Sequence, residues 1–344
     1  MYKRQLQYEK AKEMANITDM IESPNLISRS QYLSKTGWVT SQLKSDRFKN
    51  IDGYLVAAAP LEINFSLFGV GYASDQNSPL TVPITKTKDI GAFSRENGEK
   101  LPLFFNPKHK QTETEQEVKT THEARTLSGL KNHVAEVAIS FKEPMTYAEI
   151  QAKLPDNLLI NWYWLGMASD QLSVTDTIGK VIGINADEAG KLEDESLETS
   201  SSSSWSSANY PSFVTAVKTA AEKRGYNVAG IDIYKDALKQ VEKYPTLKTA
   251  KFAGIIVSGR TENLATLDDE PYIFATNVGL QAEILPYIEP TKWSQKARTK
   301  CPQSTREKSK LLCLNQFAFL FFRLVLQKVS KFYKIAALFY QIRI

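Results

Sequence analysis

Val134-Ala135-Glu136-Val137-Ala138-Ile139-Ser140-Phe141 and, after Lys142-Glu143-Pro144-Met145, Thr146-Tyr147-Ala148-Glu149-Ile150-Gln151-Ala152-Lys153 set the fold class of this chain. The first eight residues are rich in β-branched and aromatic side chains, which suits a strand. The next eight open on Thr146, with Glu149 three residues on. That spacing lets each side chain accept from the other's backbone N–H, so it predicts a capped helix through Lys153. A strand leading directly into a capped helix predicts sheet and helices packed together in an α+β module.

Reading downstream, Leu158 to Leu165 is a second strand and contains Trp162-Tyr163-Trp164. Residues 191–207 turn acidic and then serine-rich, a loop without the apolar area to order itself. Asn209, with Pro211 just behind it, opens a helix whose Phe213, Val217 and Ala220 share a face, and Gly225 lies past its end. Asp232 opens another, with Ile233, Ala237, Leu238 and Val241 as its apolar side, stopped before Pro245. Lys251–Gly259 and Tyr272–Leu280 are the last strands. Residues 131–288 therefore read as an α+β module of about four strands and three helices.

Upstream, residues 1–22 read as a helix from the spacing of Met14, Ile17 and Ile21, stopped by Ser23-Pro24. Residues 23–107 turn to β texture. Gly37–Leu43, Tyr54–Leu67, Thr81–Ile84 and Leu101–Phe105 are strand candidates, and Asn97-Gly98 is a turn. Residues 108–130 are polar without an apolar period and read as a linker. From Thr291 to Ile344 the character changes again: this tail carries +11, against −6 for everything before it. It holds Cys301 and Cys313 and an apolar run from Leu311 to Leu326 that is interrupted by Arg323. The run is short of the roughly 20 residues a membrane span needs. Lys328, Lys331 and Lys334 suit an interfacial helix better.

These features exclude several functions. An acidic body does not fit a nucleic-acid reader. A body without cysteine has no disulfide framework, thiolate nucleophile or zinc knuckle. His109, His122 and His133 stand in no metal-ligand spacing. Gly69-Val70-Gly71 lacks the third glycine and the helix of a dinucleotide loop, since Ser74 stands at the sixth position. Asp268-Asp269-Glu270 before Pro271 reads as a solvated turn. Trp162 and Trp164 face one way on a strand and could form a stacking platform. Core filling is the stronger reading, because Leu158 and Ile160 would share their face. No residue is assigned as catalytic, cofactor-binding or metal-ligating, and the chain reads as non-enzymatic. Two distant carboxylates meeting in the fold would be the one route to hydrolysis. No apolar leader follows Met1.

Several phrases occur together in order: Val137–Thr146, Leu154-Pro155-Asp156-Asn157-Leu158, Asn161-Trp162-Tyr163-Trp164, Ala253–Gly259, Pro271-Tyr272-Ile273 and Val278-Gly279. Over roughly residues 131 to 285 the chain resembles the C-terminal domain of sigma factor regulators, the membrane anti-sigma proteins of Gram-positive bacteria. Ser23-Pro24-Asn25 and the strands after it also fit the region preceding that domain. The resemblance implies a cytoplasmic segment holding a sigma factor inactive, one transmembrane helix, and an outer domain sensing the envelope. Residues 1–22 would then be the juxtamembrane stalk, with the front of the protein upstream of Met1. The implied partners are a sigma factor, the membrane and another envelope protein, with no nucleic acid and no cofactor. The implied place is the outer side of the cell membrane. A surface-bound envelope-ligand binder unconnected with transcription is the other reading left open.

Overall fold

The computed structural model describes residues 2–74, 80–84, 89–95, 97–109, 120–194, 209–288 and 290–292. Contacts divide the chain into Met1–Gln295 and Lys296–Ile344. The second unit lies outside the described residues, and with it both cysteines and the apolar run. So does most of the serine-rich loop.

Helix α1 (Tyr2–Ile21) opens the chain. It packs on an antiparallel sheet of β1 (Ile27–Thr36), β2 (Thr40–Ile51), β3 (Tyr54–Ser66) and β4 (Val70–Ser74), in that order. Ala11 and Ala15 lie against Leu43, Leu61, Ile63 and Phe65 of the sheet, while Ile17 and Ile21 enter the large core further on. The helix therefore buries two sides, and its apolar residues divide between them. β5 (Leu80–Ile84), β6 (Asp89–Phe93) and β7 (Lys100–Leu101) form a small antiparallel sheet. The strand expected over Leu101–Phe105 stops at Leu101. Beyond it the backbone is held by side chains instead: Leu103 N–H donates to Asn277 Oδ1 (3.0 Å) and Phe105 N–H to Ser140 Oγ (2.8 Å).

The main sheet contains β8 (His133–Thr146), β9 (Leu159–Trp164), β10 (Gly183–Asn185), β13 (Lys251–Arg260) and β14 (Ile273–Glu283). Its order is β10-β9-β13-β8-β14, antiparallel throughout. Between β10 and β13 lie α3 (Tyr210–Lys223), the two-residue strands β11 (Asn227–Val228) and β12 (Ile231–Asp232), and α4 (Ile233–Lys243). Helix α2 (Tyr147–Lys153) follows β8, and a single turn, α5 (Thr261–Leu264), follows β13. The fold is α+β with a β-rich N-terminal part, as the alternation of patterns predicts.

The expected caps form. Thr146 and Glu149 make both halves of the capping box, Asn209 accepts from Ser212 N–H, and Asp232 accepts from Tyr234 and Lys235 N–H. Val137, Ile139 and Phe141 of β8 pack with Phe213 and Val217 of α3 and with Ala237 and Val241 of α4. Ala138 faces the other way, with Trp162, Trp164 and Phe104. Both faces of the sheet are thus covered. β10 escapes sequence reading because it is three residues long and enters at Gly183. A Cβ there would lie 2.2 Å from the Tyr163 carbonyl oxygen and 2.4 Å from the Trp162 ring.

The stretch read as a linker is partly integral to this domain. Residues 110–119 lie outside the described residues, but Ala124 and Leu127 are buried in the main core within a 3-10 turn (Ala124–Gly129). The turn is held by polar side chains rather than by a periodic apolar face: Ala124 N–H donates to Thr276 Oγ1 (3.1 Å) and Arg125 N–H to Asp268 Oδ2 (2.9 Å).

Candidate functional site

The chemically richest part of the molecule is where α1 and the β2–β3 hairpin meet the main sheet. β2 brings Leu43, Ser45, Arg47, Lys49 and Ile51 to its inward side, at every second position, and all are buried. Arg47 is paired with Asp19 of α1, whose other oxygen accepts from Ser28 (2.6 Å). Lys49 is paired with Glu136 of β8. Glu136 also accepts from the Asn25 amide (2.7 Å) and from Leu280 N–H (3.1 Å). Each buried charge faces an opposite charge, and the two carboxylates accept further hydrogen bonds, which offsets the cost of burial.

At the end of α1, Glu22 collects a second set. Its Oε1 accepts from Arg224 (2.8 Å) and the Tyr234 hydroxyl (2.9 Å), and its Oε2 from Lys180 (3.0 Å). Arg224 also donates to the Met14 carbonyl (2.6 Å) and to Thr18 (3.1 Å), so it grips the last two turns of the helix. Burial, and next the Glu22 charge, push the Tyr234 hydroxyl above the usual phenol range and keep it a donor.

The tip of the β2–β3 hairpin is a two-residue turn, Asp52-Gly53, with both residues at positive φ (53° and 98°). Asp52 N–H donates to Ser258 Oγ (2.9 Å), Ser258 donates to Asn161 Oδ1 (2.7 Å), and the Asn161 amide returns to the Asn50 carbonyl (2.9 Å). Burial raises the Asp52 carboxyl to about 7, against the pull of the Lys292 N–H and charge. Among the described residues its Oδ2 has no hydrogen-bond partner.

Trp162 and Trp164, the one cluster that suggested ligand stacking, are closed off at 0% and 1% exposure. Phe104 covers them, its ring centroid 5.6 Å from Trp162 and 4.7 Å from Trp164. Core filling is right, but the reason differs from the expected one. A bulge at Asn161 shifts the register between Val257↔Ile160 and Ile256↔Trp162, so Leu158 and Ile160 point to the helices and the tryptophans to the opposite face. Asp268 is not in a solvated turn. Its side chain is 1% exposed and takes bonds from Thr276 (2.7 Å), Arg125 N–H and His122 (3.3 Å). His109 and His133 bond the Asp170 and Lys131 carbonyls. Among the described residues no three His, Cys, Asp or Glu side chains converge as metal ligands, and no helix is long and apolar enough to cross a membrane.

Sequence reasoning missed Glu136, Lys49, Asp19, Arg47, Glu22 and Asp52. One signal was present: Arg47 and Lys49 share the parity of Leu43 and Ile51, so the charges lie on the apolar face of β2. Two concavities accompany the junction. A cavity of about 50 Å³ touches Leu26, Lys49 and Phe104, far below the several hundred Å³ of a small-molecule site. An open groove of about 760 Å³ lies between α1 and α3, floored by Ile17 and Met20.

Residues 127–280 match the family model described as sigma factor regulator C-terminal. Over that segment, a little under half of the chain, the protein is similar to that family. No curated protein and no solved structure matches the chain. The matched segment, called the sigma factor regulator domain below, runs from Leu127 in the 3-10 turn to Leu280 in β14. It holds the main sheet and α2–α5, whereas α1 and β1–β7 precede it. The junction therefore straddles the domain boundary. Glu136, Asn161, Lys180, Arg224, Tyr234 and Ser258 are inside the domain; Asp19, Glu22, Asn25, Lys49 and Asp52 are outside. The family is a regulatory one and points to an anti-sigma role through interaction with a sigma factor.

Proposed function

We propose that this chain is the extracytoplasmic, non-catalytic part of a membrane-bound anti-sigma regulator, and that α1 links its outer domain to the segment holding the sigma factor. The observation that carries the reading is the Glu22 cluster. Three side chains of the sigma factor regulator domain, Lys180, Arg224 and Tyr234, hold the Glu22 carboxylate immediately after the last turn of α1. A rearrangement of the domain that moved any of the three would change the environment of that turn directly. A 20-residue helix then carries the displacement about 30 Å along its axis. In this reading residues 1–22 are the juxtamembrane element and 23–107 the module that braces it. A ligand or partner shifts the equilibrium only by binding one arrangement better than the other.

The test is a reporter for the sigma factor's target promoter, in cells carrying the chain joined to its sigma-holding segment. Arg224→Ala should change target transcription without altering any sigma-binding residue. Ala15→Pro, which breaks α1 at a cost of about 3 kcal/mol or more, should uncouple the reporter from the outer domain. Unchanged transcription after both Ala15→Pro and removal of residues 131–285 would sink the reading.

A further inference from the structure

Trp38 is 97% exposed and Phe68 is 89% exposed, more than any other large apolar side chain among the described residues. Their two loops are neighbours at one end of the N-terminal sheet. Trp38 is on the β1–β2 loop, closed by Gly37 N–H donating to the Thr40 carbonyl (2.8 Å). Phe68 is on the β3–β4 loop, closed by Ser66 N–H donating to the Gly69 carbonyl (2.7 Å). Leu67 N–H donates to the Val39 carbonyl (3.2 Å) and ties the two loops together. Val39 and Leu33, both more than two-fifths exposed, add apolar surface beside them. A single exposed apolar residue is ordinary; two aromatic tips fixed on adjacent tight turns are a presented surface.

Among the described residues the charges nearest the two loops are basic, and Glu62, further along β3, is paired with Lys44. Arg4 donates to Ser41 Oγ (2.8 Å), which puts the first turn of α1, with exposed Lys3, at the same end of the sheet. Lys35 flanks the first loop and is exposed. No Asp or Glu occurs from Leu33 to Ser45, from Ile63 to Ala73, or before Glu9. Tryptophan favours the headgroup level of a bilayer, phenylalanine the acyl boundary, and lysine and arginine the lipid phosphates. A protein partner would call for a broad patch able to bury about 1,000 Å² or more, whereas these are two convex tips with a basic rim. We propose that the hairpin tips carrying Trp38 and Phe68, with Lys3, Arg4 and Lys35, dip into an anionic membrane surface. The proposal rests on the membrane placement above, but its test involves no sigma factor, so either can fail alone.

The experiment uses the full chain and vesicles of phosphatidylglycerol or phosphatidylcholine, read by co-sedimentation. The basic tail is common to all variants, so differences between them report the tips. Trp38→Ser with Phe68→Ser should lower affinity for phosphatidylglycerol vesicles by about tenfold or more and leave the melting temperature unchanged. Lys3→Glu with Lys35→Glu should weaken binding several-fold and flatten its salt dependence. Brominated lipids should quench the emission that Trp38→Phe removes. Equal vesicle binding by parent and double-serine variant, or absence of that quenching, overturns the proposal. So does a double-serine variant that keeps vesicle binding and instead dissociates a dimer, which would make the face a protein interface.

Discussion

The sigma factor regulator domain and the module before it bury different chemistry. In the domain, every residue of β9 from Leu159 to Trp164 is buried, because α3 and α4 cover one face of the sheet and Phe104 the other. The N-terminal module has a small apolar cluster between α1 and its sheet and also buries charge, pairing Arg47 with Asp19 within itself and Lys49 and Glu22 with the domain. Apolar burial is non-directional and stabilises the domain by area. Buried ion pairs add little net stability relative to apolar isosteres, yet breaking one is costly. The domain is thus held together by its core, and the module is docked on it both by apolar contacts of Ile17, Ile21, Ile51 and Tyr54 and by the paired charges of Glu22 and Lys49.

Three measurements bear on that contrast. Glu136→Ala leaves the Lys49 ammonium buried without its carboxylate and frees Asn25 and Leu280 N–H together. A loss of about 3–5 kcal/mol is expected in chemical denaturation, and Lys49→Met added to it should recover part of that loss. A small effect of the single variant would mean that water reaches the junction.

Trp162→Ala tests the domain alone. Truncating a fully buried tryptophan should cost on the order of 3–5 kcal/mol. Trp162→Phe should cost much less, since it keeps the ring contact with Phe104 and removes an indole N–H that has no partner among the described residues. If Trp162→Ala kept the parental melting temperature, the ring would be accessible and a stacking role would return.

Asp52 gives the junction a pH signature. Its folded carboxyl sits near 7, above the ~3.9 of an unfolded aspartate. Between about pH 4 and pH 7 the folded state therefore binds the extra proton, and stability falls as pH rises through that window. The loss attributable to this group is on the order of 2–4 kcal/mol. Asp52→Asn, which tolerates the positive φ, should flatten the stability profile across those pH values. An unchanged slope would assign the dependence to other groups.

What could be read from the chain before folding was local. Thr146, Asn209 and Asp232 mark helix starts because a cap is a bond across two or three residues. The runs at 134–141, 158–165, 251–259 and 272–280 mark strands because they combine β-forming side chains with apolar bulk. Asp52-Gly53 carries the same kind of local turn signal but went unread, and the hairpin it closes emerged only with the structure. The family phrases were readable too, since the order and spacing that carry the resemblance lie wholly within the sequence. What the fold alone decided was every pairing across distance. Lys49 and Glu136 are 87 residues apart, and Glu22 and Tyr234 are 212 apart. One bulge at Asn161 reversed which face of β9 its apolar residues occupy. Asp268 became buried because Thr276 and the 3-10 turn folded over it. Spacing along a chain fixes a side chain's direction only while the period holds and says nothing about which surface will arrive opposite. Docking of α1 and the β2–β3 hairpin onto the main sheet supplied those surfaces, and with them the partner of each buried charge.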